Sequence, residues 1–221
     1  MVIDPSGIVY FEYGFIRITA TLAFTWITII ILFVISYALT RNLRSDKDIS
    51  KGQSILEALM IRINRQIRGI SQQDPESYLP FVSTIFIFIL SSTLLSIIPG
   101  FISPTGSLNT TISLAICVFF AVPVYGVANI GLKNYLKQYT KPSVVMLPFN
   151  IISEFSRTIS LAVRLYGNVM STSVIVVILL SVIPFIFPVV IQLLGLLTGA
   201  IQAYIFSILA IVYIAAANEN K

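Results

Sequence analysis

Apolar residues run through most of this chain in long blocks, and blocks of about 18 residues or more with few charges predict helices that cross a bilayer. The first block covers about 18–39 and holds the only tryptophan, Trp26. The second covers about 78–98 and stops at Pro99-Gly100, and the third covers about 108–132, with Pro123 expected to kink it. The last two, 148–182 and 189–217, are much longer than a crossing needs. At 1.5 Å per residue each approaches about 50 Å, against hydrocarbon about 30 Å thick, so they must tilt, bend or run partly outside. Pro184 and Pro188 bracket the turn between them, which predicts an antiparallel hairpin.

One segment breaks the pattern. Over 50–72, Ile55, Leu56, Leu59, Ile63, Ile67 and Ile70 recur at helical spacing, while Lys51, Glu57, Arg62, Arg65 and Arg68 take the other positions. That periodicity predicts an amphipathic helix lying on a membrane surface or against a partner helix. Asp74-Pro75 is expected to end it. Residues 1–17 are mixed and contain Asp4 and Glu12, without the basic start and cleavage site of a secretory signal, so the first span is expected to be retained. No internal repeat is visible. The predicted fold is all-α and integral to the membrane: a single domain over 1–221 with about five spans, one surface helix and a C-terminal pair of long, strongly tilted helices.

Composition supports this class. The 221 residues are 57% hydrophobic and 10% charged, with a mean hydropathy of +0.93, where a soluble domain carries about 25% charged residues. A net charge of +5 raises the question of nucleic acid, and the location of the charge argues against it. Seven of the fourteen Lys and Arg residues lie between Arg41 and Arg68, flanking a span, where topology charge belongs. With Lys133, Lys137 and Lys141, that bias predicts an outer N-terminus and a cytoplasmic C-terminus. The single cysteine, Cys117, sits in an apolar run and the chain has no histidine, so neither a disulfide framework nor a His/Cys metal site is expected.

The candidate chemistry lies in 154–168, where Glu154, Arg157, Arg164 and Asn168 interrupt an apolar helix. An arginine near the centre of a membrane helix costs from about 2.5 to more than 10 kcal/mol, so it reads as a functional site, the alternative being that it snorkels to an interface. Asn150, Arg157 and Arg164 are seven residues apart and share one face, and Asn168 lies one turn further in the same stripe. Glu154, three residues before Arg157, can pair with it. Arg164 has no acidic residue three or four positions away, and a guanidinium cannot relay protons by deprotonating. Its charge therefore calls for water, a carbonyl or a carboxylate from another chain. On the last span Gln202 is a lone amide, read either as bonded to the Arg164 helix or as lining a channel. Gly195 and Gly199 are read as sites of close helix approach.

These residues carry a resemblance. The runs 147–151 (LPFNI), 160–168 (SLAVRLYGN) and 201–206 (IQAYIF), with 104–109 (PTGSLN), are similar in wording and order to subunit a of rotary F-type ATP synthases, and the likeness covers nearly the whole chain from the first span onward. The resemblance implies a non-catalytic stator subunit providing two half-channels for protons or sodium, with no cofactor. Arg164 would face the carboxylates of a rotating c-subunit ring, and Asn168 and Gln202 would orient it. Asn150, Glu154, Arg157, Ser173 and Asn109 would line the ion path. Implied partners are the c ring, the peripheral-stalk b subunits, the rest of the F1Fo complex and the bilayer. The implied location is the inner (plasma) membrane of a bacterium or archaeon in preference to an organelle.

This chain also departs from the pattern. Many proton-driven relatives carry Glu or His nine residues after the arginine, His or Glu seven before the glutamine, and Asp before Leu-Asn in the outer loop; here those positions are Ser173, Gly195 and Ser107. The short length and the wording around Arg164 resemble the alternate branch called N-ATPases, thought to move sodium. Both ions stay open. So do two other classes: a self-contained channel or transporter with an anion site at Arg164, and a structural membrane scaffold.

Overall fold

The computed structural model describes residues 9–13, 16–41, 51–71, 78–98, 100–133, 135, 146–183 and 186–217. It is nearly all helical, with helices α1 (Ala20–Thr40), α2 (Lys51–Ser71), α3 (Leu79–Leu95), α4 (Leu108–Ile130), α5 (Met146–Val182) and α6 (Ile186–Ala217). Four of these, α1, α4, α5 and α6, are long and apolar enough to cross a membrane, and α3 is a shorter apolar helix of 17 residues. The chain is an all-α integral membrane protein. The predicted connectors at 72–77 and 136–145, Pro184 and the charged tail from 218 lie outside the described residues.

One small element was not legible in the pattern. Strands β1 (Val9–Tyr13) and β2 (Ile16–Thr19) pair antiparallel just before α1, with an irregular step between Val9 and Phe11. Their Val, Ile, Phe and Tyr residues suit a pleated surface. Glu12 and Arg17, opposite one another in the register, give the segment its mixed look in sequence.

Inside the helices, polar side chains are folded back onto the backbone. Thr25 and Thr28 donate to the carbonyls of Thr21 and Phe24 at 2.7 and 2.8 Å, and Thr84 and Ser113 do the same one turn back along α3 and α4. A hydroxyl satisfied in this way can face an apolar surrounding without an orphaned donor. Helix α4 runs unbroken through Pro123 and stops at Gly131, whose φ of 80° favours a residue without a side chain.

Helix α6 is the hub. Its buried face, including Gln202, Ala203, Phe206, Ala210 and Ile214, meets α3, α4 and α5 in two apolar clusters. One gathers Ile85 and Ile89 of α3, Ala115 and Val118 of α4, and Leu161 and Leu165 of α5 around Phe206. The other joins Ile63 of α2 to Tyr78, Val82, Ile211 and Ile214, so the amphipathic helix is docked on the bundle at Ile63. Helix α5 is attached differently. Among its described residues only Leu161, Ala162 and Leu165 are buried, and Phe149, Ile152, Phe155, Ile159, Val163 and Ile178 stand exposed along its flank.

Candidate functional site

The pair α5 and α6 positions the predicted residues. At 37 and 32 residues they reach about 55 and 48 Å. Arg157 of α5 lies over the ring of Tyr213 of α6, at 5.4 Å from its centroid, and Gly195 of α6 meets Thr172 of α5 so closely that an added Cβ would collide with the threonine methyl. Those two contacts set an antiparallel register. Interpolating between them puts Gln202 at about the depth of Tyr166, roughly half a turn from the levels of both Arg164 and Asn168.

Arg164 is exposed, although Leu165 beside it and Leu161 one turn back are buried. It projects from the flank of α5 among Ile159, Val163 and other exposed aliphatics. Among the described residues it has no hydrogen bond or ion pair. Asn168 is half-buried, and Thr172 donates to its carbonyl at 3.1 Å. Gln202 is 6% exposed and its amide nitrogen has no partner among the described residues. A buried donor left unmade costs about 1–3 kcal/mol.

Toward the N-terminal end of α5, Asn150, Glu154, Arg157 and Thr158 line a cavity of about 190 Å³ with Val118 of α4 and Tyr213 of α6. Water takes about 30 Å³ per molecule, so several fit. The arginine over the tyrosine is a cation–π contact, worth about 0.5–1 kcal/mol when exposed and about 2 or more when desolvated. Beyond Asn168, toward the other end, the 3₁₀ turn Pro104–Gly106 presses on α5, with Gly106 against Val169. Here Ser92, Ser103 and Thr105 form a buried hydroxyl cluster with oxygens 2.9–3.4 Å apart. The Ser107 hydroxyl beside it is buried and unpartnered among the described residues. Gln192 donates to the Ser96 carbonyl at 2.8 Å.

The predicted residues therefore divide. Asn150, Glu154 and Arg157 share the cavity. Gln202 lies at a depth between those of Arg164 and Asn168. Ser173 is exposed and donates to the Val169 carbonyl at 3.0 Å, and Asn109 is exposed in the first turn of α4; neither joins the others. Sequence reasoning passed over Tyr213 as part of a site, along with Ser92, Ser103 and Thr105. The signal for Tyr213 was available: it stands eleven residues after Gln202, three turns along the same face. The hydroxyls had none, because single Ser and Thr residues in apolar helices usually bond their own backbone.

Comparison with known proteins identifies a family. The sequence pattern of the family described as ATP synthase A chain matches residues 22–215. The chain is 54% identical to ATP synthase subunit a 2 of Acaryochloris marina (strain MBIC 11017), over 99% of this chain and 94% of that one. It is 50% identical to ATP synthase subunit a of Albidiferax ferrireducens (strain ATCC BAA-621 / DSM 15236 / T118), over 100% and 96%. Against ATP synthase subunit a 1 of Chlorobaculum tepidum (strain ATCC 49652 / DSM 12025 / NBRC 103806 / TLS) it is 47% identical over the full length of both.

Proposed function

The chain belongs to the ATP synthase subunit a family, and from that premise we propose that it is the stator of the membrane ion path, with Arg164 facing the carboxylates of a rotating c ring. The observation that carries the assignment is Arg164, exposed and unpaired among the described residues, on an apolar face of α5 that the described residues of the bundle leave uncovered. Lipid is a poor solvent for that guanidinium. A ring carboxylate is a good partner, and the attraction favours its ionised form, so the bound ion leaves as each carboxylate arrives. A fixed cation at this point also bars ions from passing directly between two access paths.

The two ends of the α5–α6 pair are read as those paths. The cavity beside Glu154 and Arg157 is read as the cytoplasmic half-channel and the hydroxyls around 103–107 as lining the outer one, and the charge bias supports an outer N-terminus and a cytoplasmic C-terminus. Ser107 at the outer path and Ser173, exposed on α5, stand where many proton-driven relatives carry acids or histidine, and Thr172 fills the space at Gly195. An outer path of neutral oxygens suits water wires or passage of a hydrated cation more than a titrating relay, so both protons and sodium fit. The subunit itself performs no covalent chemistry. It couples ion flow to rotation in the plasma membrane, beside the b subunits and the rest of the complex.

Replacing Arg164 with Ala in the whole complex tests the assignment. ATP synthesis driven by an ion gradient is expected to vanish while the complex still assembles. Wild-type coupling in an assembled Arg164→Ala complex removes the stator reading, and loss of assembly alone favours a scaffold.

A further inference from the structure

We propose that Tyr213 is a positioning residue that pins the Arg157 guanidinium to the cavity wall and so keeps the cavity open to cations. The proposal rests on the reading of that cavity as part of the ion path. Tyr213 is suited to hold something still: it is partly buried and packs against both apolar clusters of the bundle, so its ring is fixed from behind. Arg157 is the opposite, an exposed side chain with several rotatable bonds at the rim of a space of about 190 Å³. Its guanidinium lies 5.4 Å from the centroid of the Tyr213 ring, within the range of a cation–π contact. Loosened from the ring, the same head group reaches into the cavity. There it takes up room and sets a positive charge in the way of any arriving cation. Glu154 and Asn150, on the same helix, give the cavity its attraction for cations, and the tyrosine keeps the arginine from cancelling it.

The experiment uses vesicles carrying the whole complex and follows the ATP-driven membrane potential with a voltage-sensitive dye, which responds to either ion. Subunit content is checked by immunoblot. Tyr213→Phe keeps a ring and is expected to pump at the wild-type rate, whereas Tyr213→Leu is expected to pump roughly three- to tenfold more slowly. The deciding measurement is the double variant. With Arg157→Gln there is no cation to pin, so Arg157→Gln/Tyr213→Leu is expected to match Arg157→Gln alone and to exceed Tyr213→Leu. A tyrosine that serves only to pack predicts no such rescue, and a double variant no faster than Tyr213→Leu overturns the proposal, as does a wild-type rate for Tyr213→Leu. If the leucine variant fails to assemble, Tyr213→Met carries the same comparison. Glu154→Gln separates the two levels. Undiminished pumping in that variant removes the cavity from the ion path and the proposal with it, while slowed pumping beside a fast Tyr213→Leu removes only the clamp.

Discussion

Single side chains decide what the α5–α6 pair can do, and their roles were unequally visible beforehand. Arg164 could be singled out because cost and missing partner are both written in the sequence: a charge in an apolar run, with no acid three or four positions away. Gln202 was visible for the same reason, but its neighbour across the interface was not, since nothing local says which face of α6 meets which residue of α5. Gly195 illustrates the gap. Its spacing to Gly199 suggested close approach, and the approach turns out to be to two different residues, Thr172 and Thr93. Gly195→Ala is therefore expected to clash with the Thr172 methyl and to destabilise the subunit by about 1–3 kcal/mol. Thr172→Ser, which removes that methyl and keeps a hydroxyl for the Asn168 carbonyl, should restore much of the loss, as read from thermal inactivation of the detergent-solubilised complex.

At the scale of elements, hydrophobic blocks long enough to cross a bilayer announced the helices, and a helical rhythm announced α2. Blocks were less informative about packing. An apolar residue in a membrane helix reads the same whether it meets lipid, another helix or another subunit, so the hub role of α6 and the bare flank of α5 had to come from the fold. The β1–β2 pair escaped notice because its alternation is short and interrupted by charges. Helix α2 offers a direct check. Ile63 is its buried anchor, set among Tyr78, Val82, Ile211 and Ile214. Ile63→Ala should cost about 2 kcal/mol or more. Ile63→Asp should lift the helix off the bundle and make 51–71 sensitive to protease in inverted vesicles, while the exposed-site change Arg62→Gln leaves the cleavage pattern unaltered.

For the whole molecule, charge bias gives an orientation that a labelling experiment can check. With Cys117 replaced by Ser, a cysteine introduced by Lys221→Cys should react with a membrane-impermeant maleimide in inverted vesicles and stay unlabelled in intact cells; the reverse pattern would turn the whole topology over. Ion choice belongs to the same scale, because it involves the ring as well as this chain. If sodium is the coupling ion, ATP hydrolysis by the intact complex should rise with sodium, and a flat response at low contaminating sodium argues for protons. The uncovered flank of α5 has a mechanical meaning too. Apolar contact is non-directional, so a surface of Phe, Ile and Val grips a moving neighbour almost equally at every angle and resists its sliding very little. On the proposed stator reading such a flank is a bearing and Arg164 is a detent on it, so the torque held without slipping is set by how firmly that charge engages each passing partner.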